Sequence, residues 1–282
     1  MLVASAGELI YSITYNAYYA ALGDAEHRGH QLGAREALVA MAGIAAPLLG
    51  AAALVKLGPG IAFACVGLVQ AAAALPLLGV PNVRVREAAP GAYKAAWPAV
   101  ALWAVDGWFD AFFFYTWHIA LFVSLGRSLP AYGGAMALAG LAGAAGTLAL
   151  GRHIDAGHGR RAVWIAFGLA VPIVLLRAAG VESPTLAVIA NALGAFLMPM
   201  LGPVMAGAVY NLAKVSPCPV RFLVAAEAGW DAGCFFACLI AAGLAFAGAS
   251  MSLALLLGLP AIALGIVLLR RQYPAAAAVL RP

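Results

Sequence analysis

The sequence predicts an all-α, polytopic membrane protein with about nine transmembrane helices. Of its 282 residues, 65% are hydrophobic and only 10% are charged, whereas soluble globular domains carry roughly 25% charged residues. Apolar runs recur along the whole chain, and many reach the ~20 helical residues that cross a hydrocarbon core of ~30 Å. The basic residues lie mainly in alternate gaps between these runs. The predicted fold is therefore a helical bundle in lipid.

The predicted helices follow one another with short gaps. We expect them at residues 2–22, 36–56, 60–80, 97–125, 129–150, 162–180, 185–213, 222–247 and 249–271. The first has no basic segment before its apolar run and contains Glu8, so we interpret it as a spanning helix and not as a cleaved signal peptide. The polar segment 81–96 is the expected cytoplasmic linker. It separates a partial N-terminal bundle of three helices, 1–80, from a six-helix bundle with a short cytoplasmic tail, 97–282.

Small residues in one of these helices predict close helix packing: the helix at 129–150 contains Gly133 and Gly140. Small side chains let helix backbones approach closely inside a membrane bundle. The helix at 36–56 contains Gly43 and Pro47, where we expect a kink that serves either helix packing or gating.

The distribution of Lys and Arg predicts the orientation. Thirteen of the sixteen fall in one set of alternate gaps, and the other three are Lys56, Arg127 and Arg177. Because cytoplasmic loops hold the positive charge, the crowded side is predicted to be the cytoplasm. We therefore expect a multi-pass protein of the cell (inner) membrane with a cytoplasmic C-terminus. Topology explains the net charge of +5, so no nucleic-acid partner is expected.

The cysteines and the known nucleotide motifs predict neither a metal site nor a cofactor. Cys65, Cys218, Cys234 and Cys238 lack metal-ligand spacing and form no CxxC pair, so we expect them to pack as small apolar residues. The chain also lacks the phosphate loop GxxxxGK[ST], which excludes ATP hydrolysis through that motif.

A charged turn between the fifth and sixth predicted helices resembles a known signature. It reads Gly-Arg-His-Ile-Asp-Ala-Gly-His-Gly-Arg-Arg from residue 151 to residue 161. This resembles the signature loop of the major facilitator superfamily (MFS), in which a Gly and an Asp precede Gly-Arg-Arg or Gly-Arg-Lys; Ala156 stands where that loop has a basic residue. The resemblance implies a gating role for Gly151, Asp155, Gly159, Arg160 and Arg161. The alternative is that the arginines only anchor the helix at the lipid headgroups.

A second loop resembles the one between the fourth and fifth helices of the same family, where Arg-Gly-x-x-Leu-Gly is common. It contains Asp24, Arg28 and Gly29, followed by Leu32-Gly33. With both loops as anchors, the nine predicted helices correspond to the family's helices four to twelve. The resemblance thus implies an MFS-like bundle that lacks the first three transmembrane helices.

Five acidic residues lie in the interior of predicted helices: Glu8, Asp106, Asp110, Glu227 and Asp231. An ionised carboxylate at the bilayer centre costs roughly 2.5–3.5 kcal/mol on insertion scales, and the sequence places no Lys or Arg deep in any predicted span. We therefore expect these groups to face a watery cavity or to carry protons. The last four form two i,i+4 pairs, so each pair shares a helix face and is expected to titrate as a unit. Asp110 and Asp231 are the expected main proton carriers.

Aromatic side chains near these carboxylates suit a cationic or amphipathic solute, and the lack of buried basic residues disfavours an anionic one. The alternative is that the aromatic residues, and His118 with them, only pack inside the bundle. The residues expected to line the cavity are Glu8, Tyr15, Asp106, Asp110, His118, Asn191, Asn211, Glu227 and Asp231.

We predict a secondary active transporter of a small solute, coupled to protons and working by alternating access around a midplane site. Its expected partners are the solute, protons and the lipid bilayer, and we expect a monomer that is not an enzyme. Two alternatives stay open at this point. One is an intramembrane enzyme of the prenyltransferase type, in which paired carboxylates bind diphosphate through Mg²⁺; the other is a non-transporting fragment of a transporter.

Overall fold

The computed structural model describes residues 7, 10, 11, 13, 14, 28–79, 88–154 and 159–272. At 28–37, 77, 148–154, 159–162, 200 and 203 it describes the backbone only.

The described chain is helical and contains no strand, which confirms the all-α prediction. Its N-terminal part comprises helix α1, Arg28–Ala72, a 3-10 turn, Leu75–Leu77, and the short helix α2, Ala92–Ala95. A continuous segment follows, made of α3, Trp97–Asp110, a π-helical turn, Ala111–Thr116, and α4, Trp117–Ser124. The remaining helices are α5, Leu129–Ile154; α6, Gly159–Gly180; α7, Pro184–Lys214; α8, Pro219–Phe246; α9, Met251–Leu256; and α10, Leu259–Gln272.

Five helical stretches of the described chain are long and apolar enough to cross a membrane. They are Leu38–Ala72, Val163–Gly180, Pro184–Lys214, Pro219–Phe246 and Met251–Gln272. The surface of the first is strongly apolar: Phe63 is 68% exposed and Leu68 is 71% exposed. Exposed apolar surface on this scale suits contact with lipid. The helices thus indicate a membrane-embedded protein, while the count of nine spans and the membrane's identity stay predictions.

Helix α1 is broken at Gly58, as the gap between the predicted helices 36–56 and 60–80 requires. Gly58 has φ 78° and ψ 165°, a conformation that glycine adopts without the steric penalty of a Cβ. Pro59 follows, and its fixed φ suits the first turn of the next helix. The break therefore divides α1 into two helices joined at a single residue.

The second half of α1 ends at Ala72, earlier than the predicted residue 80. Pro76 is the physical reason. A proline ring clashes with the carbonyl four residues earlier, here that of Ala72, and offers no N–H to continue the helix. The chain instead forms the 3-10 turn.

From residue 97 onward, the predicted helices agree with the observed ones to within a few residues. The helix expected at 249–271 corresponds to the apolar stretch Met251–Gln272, which is interrupted between α9 and α10. The interruption frees the carbonyl of Leu257, which accepts a hydrogen bond of 2.9 Å from the indole Nε1 of Trp108. A side chain of α3 thus satisfies the broken helix end.

Helix packing places α3 at the centre of the largest buried cluster. Its side chains are buried together with those of α6, α7, α8 and α10. Among them Phe222 of α8, Val209 of α7 and Leu269 of α10 are fully buried. The first half of α1 lies outside this cluster and packs against α5.

Glycines bring α1 and α5 together, which agrees with the close packing predicted for the helix at 129–150. A Cβ at Gly140 would lie 2.8 Å from the carbonyl oxygen of Gly43, and one at Gly133 would lie 3.0 Å from that of Pro47. Such distances leave no room for a larger residue.

The contact between α3 and α8 is closer still. A Cβ added at Gly107 of α3 would collide with the carbonyl oxygen of Trp230, and one at Gly233 of α8 would collide with that of Ala104. Gly229, one helical turn earlier on α8, meets the α3 backbone in the same way. The two helices therefore touch backbone to backbone along two turns.

We expect Gly233→Ala to destabilise the protein, because its methyl group would force α3 and α8 apart. Overpacking costs about 1–3 kcal/mol, which lowers the thermal midpoint by roughly 2–10 °C in a protein of this size. The matched control is Gly243→Ala on the same helix, where a Cβ would meet nothing within 4 Å. Circular dichroism of the detergent-solubilised variants measures both midpoints. Equal midpoints for the two variants would contradict the close contact.

Candidate functional site

Four of the predicted site carboxyls lie at the contact between α3 and α8. Asp106 and Asp110 belong to α3, whereas Glu227 and Asp231 belong to α8. Asp106 is close enough to both Asp110 and Glu227 for their charges to interact, and Glu227 interacts with Asp231 in the same way. The glycine contact thus joins two pairs, each on one helix, into a single group, which we call the carboxyl group of α3 and α8.

Its members differ in their access to the surroundings. Asp106, Asp110 and Glu227 are partly buried, and Asp231 is exposed. Asp110 accepts a hydrogen bond of 3.1 Å from the indole Nε1 of Trp230. That hydrogen bond holds the Asp110 carboxylate in place, whereas the exposed Asp231 can contact water or a solute.

Few cations are available to neutralise these carboxyls locally. The segment 97–124 contains no Lys or Arg, and α8 carries one basic residue, Arg221, in its first turn. Within the described residues, no group of three or more His, Cys, Asp or Glu side chains could hold a metal ion. The arrangement can bind and release protons or attract a cationic group.

A second polar group surrounds the π-helical turn, Ala111–Thr116. The hydroxyl of Thr116 donates a hydrogen bond of 2.9 Å to the carbonyl of Ala111, five residues earlier. Within the turn, the carbonyl of Phe113 accepts a hydrogen bond from the Nη1 of Arg177 on α6. Single π turns inside α-helices are frequent at functional sites.

Arg177 is buried, with 3% of its surface exposed. The central carbon of its guanidinium lies 3.8 Å from the ring centre of Phe113 and 4.8 Å from that of Trp117. These distances suit cation–π attraction. Gly194 of α7 makes room for the side chain, since a Cβ there would collide with the Nη2 atom. The Nε atom is buried and has no hydrogen-bond partner among the described residues.

The burial of Arg177 shows that one expectation from the sequence was wrong, namely that the bundle contains no buried basic residue. Helical side chains point back toward the N-terminus of their helix, so a long arginine near the end of α6 reaches back into the bundle. The argument against an anionic solute therefore loses its premise.

Asn191 of α7 connects three helices beside Arg177. It is 3% exposed. Its Oδ1 accepts a hydrogen bond of 3.0 Å from the Nε1 of Trp117 on α4, and its Nδ2 donates one of 3.3 Å to the carbonyl of Ala135 on α5. Asn191, Arg177 and His118 all line one cavity of about 260 Å³.

The predicted site residues thus separate into several sets. His118 and Asn191 lie with Arg177, and Asp106, Asp110, Glu227 and Asp231 form the carboxyl group. Asn211 is exposed near the end of α7 and lies in neither set. Six residues that the sequence predicted in loops have a helical backbone at the ends of α1, α5 and α6, and nothing more of them is described: Arg28, Gly29, Gly151, Gly159, Arg160 and Arg161. Glu8, Tyr15, Asp24 and Asp155 lie outside the described residues.

Sequence reasoning missed Arg177, although one signal was present. Arg177 lies within an apolar helix, and the next helix contains Gly194, whose lack of a side chain leaves space for a buried guanidinium. Spacing alone does not show which way a side chain near a helix end points.

The fold and its two polar groups define an all-helical, membrane-embedded protein whose apolar helices carry titratable side chains. In comparisons with known proteins, no family model, curated protein or solved structure is significantly similar to this chain.

We expect Asn191→Ala to destabilise the protein, because it leaves the buried indole N–H of Trp117 without an acceptor. An unsatisfied buried donor costs about 1–3 kcal/mol. Asn211→Ala is the matched control, since Asn211 is exposed on the same helix. Thermal unfolding followed by tryptophan fluorescence gives both effects. A loss in Asn191→Ala no larger than in Asn211→Ala would contradict the assigned bond.

Proposed function

We propose that this chain is a secondary active transporter that moves a small solute across the membrane together with protons. The observation that supports it most is the carboxyl group of α3 and α8, which lies within two helices of an apolar bundle. The proposal extends to alternating access as the mechanism and to a monomer in the inner membrane with a cytoplasmic C-terminus.

Electrostatics makes this group suited to proton exchange. Ionised carboxylates are expensive within a membrane unless water, a cation or a proton compensates them. Because Asp106 interacts with both Asp110 and Glu227, a proton taken up by one carboxyl changes how readily the others ionise. A solute that approaches the exposed Asp231 can displace protons from the group by the same interaction.

The glycine contact offers a way to couple this chemistry to movement. Gly107 and Gly233 keep the backbones of α3 and α8 in contact. Helices that pack through small residues approach closely. A change in the charge of the carboxyls at the contact therefore changes the energy of packing between α3 and α8. Rocking of helical bundles around a midplane site then gives alternating access.

The loop resemblance to the major facilitator superfamily supports the same proposal. It implies a gating role for the segment around Asp155, between α5 and α6. The proposed membership rests on these loop residues and on the helical architecture.

Proton movement in proteoliposomes tests the proposal. Vesicles with trapped pyranine receive permanently charged solutes, tetraethylammonium or benzenesulfonate, which do not carry protons through lipid themselves. We expect one of them to change the internal pH faster than in protein-free vesicles. Asp110→Asn or Glu227→Gln should reduce the change to the protein-free level because the proton-binding group is lost. Glu182→Gln, an exposed carboxylate in the loop between α6 and α7, is the control and should not alter it.

Two results would point elsewhere. Wild-type vesicles that respond to every solute as protein-free vesicles do would contradict the transporter and favour a non-transporting fragment. Magnesium-dependent release of diphosphate from a prenyl diphosphate by the purified protein would favour the prenyltransferase alternative.

A further inference from the structure

We propose that the cavity beside Arg177 binds a small organic carboxylate, with the carboxylate on the guanidinium and its apolar body in the rest of the cavity. The proposal concerns binding at a second polar group and does not depend on transport or on the carboxyl group of α3 and α8.

The charge of Arg177 is the first argument. In the described part of the chain its partners are the carbonyl of Phe113 and the ring faces of Phe113 and Trp117, all of them uncharged. Dipoles and ring faces compensate a buried charge only partly, and an isolated buried charge is strongly unfavourable. A bound anion would supply the missing opposite charge.

The geometry around Arg177 is the second argument. The Nη1 donates to Phe113, but the buried Nε has no partner among the described side chains and backbone groups. A guanidinium presents its donors as a rigid planar fork that matches a carboxylate. His118 lines the same cavity and can offer a ring nitrogen to the second carboxylate oxygen.

The rest of the cavity selects for an apolar body. Phe114, Met136 and Met198 contribute to its walls, together with the glycines at 140, 143 and 194. Methionine side chains adapt to irregular ligands. The volume of about 260 Å³ is below the ~300–1,000 Å³ of drug-sized sites. The occupant is therefore a small monocarboxylate with a compact apolar group, on the scale of benzoate.

Calorimetric titration of the purified full chain in detergent tests the proposal, with sodium benzoate and sodium acetate as the probes. Benzamide is the matched control ligand because it keeps the ring and loses the charge. We expect saturable binding of benzoate, weaker binding of acetate and no saturable binding of benzamide. Heat measured with protein-free micelles is subtracted in each case.

Variants then locate the site. Arg177→Gln should abolish benzoate binding, and Arg177→Lys should weaken it because a lysine lacks the planar fork. Arg127→Gln, in the exposed loop after α4, is the control and should bind as the wild type does. Benzoate binding retained by Arg177→Gln would overturn the proposal.

The comparison of ligands on the wild type keeps the test decisive even if Arg177→Gln does not fold. Equal binding of benzoate and benzamide would overturn the proposal, since it would show recognition of the ring alone. So would the absence of saturable binding of both benzoate and acetate.

Discussion

The hydrogen bond from Arg177 to the carbonyl of Phe113 is the interaction on which the arrangement of the bundle most depends. A π turn contains one residue more than an α turn, so every residue after it is rotated by about 100° relative to an uninterrupted helix. That rotation directs Trp117 toward Asn191, and through Asn191 it connects α4 with α5 and α7. The guanidinium bonds to the turn that produces the rotation. In lipid, no water is available to replace such a partner for a backbone carbonyl.

The two polar groups share one helical segment. Asp110 is the last residue of α3, and Phe113 lies in the turn that follows it. Trp230 of α8 donates a hydrogen bond to Asp110, and Arg177 of α6 donates one to Phe113, only three residues later in the same helical segment. A change in the π turn would move both groups at once. The π turn thus connects the Asp110 carboxyl with the cavity beside Arg177.

Much of the helical layout could be predicted from the sequence, and the contacts within it could not. Apolar runs located the helices because a helix that crosses lipid must be long and apolar. Glycine and proline located the break within α1, at Gly58 and Pro59. Spacing placed Asp106 and Asp110 on one face, but it gave no information that Glu227 would lie close enough to Asp106 for their charges to interact. The π turn left no sequence signal in an aromatic-rich run. The direction of the Arg177 side chain depended on space left by Gly194, which only the packed structure shows.

Anomalous diffraction from crystals of the full chain grown with 4-bromobenzoate tests most directly whether the buried charge of Arg177 is held for an anion. We expect a bromine peak inside the cavity lined by Met136 and Met198, with the carboxylate on the guanidinium of Arg177. A cavity without bromine, together with a carboxylate side chain of the protein itself paired to Arg177, would contradict this account of the site.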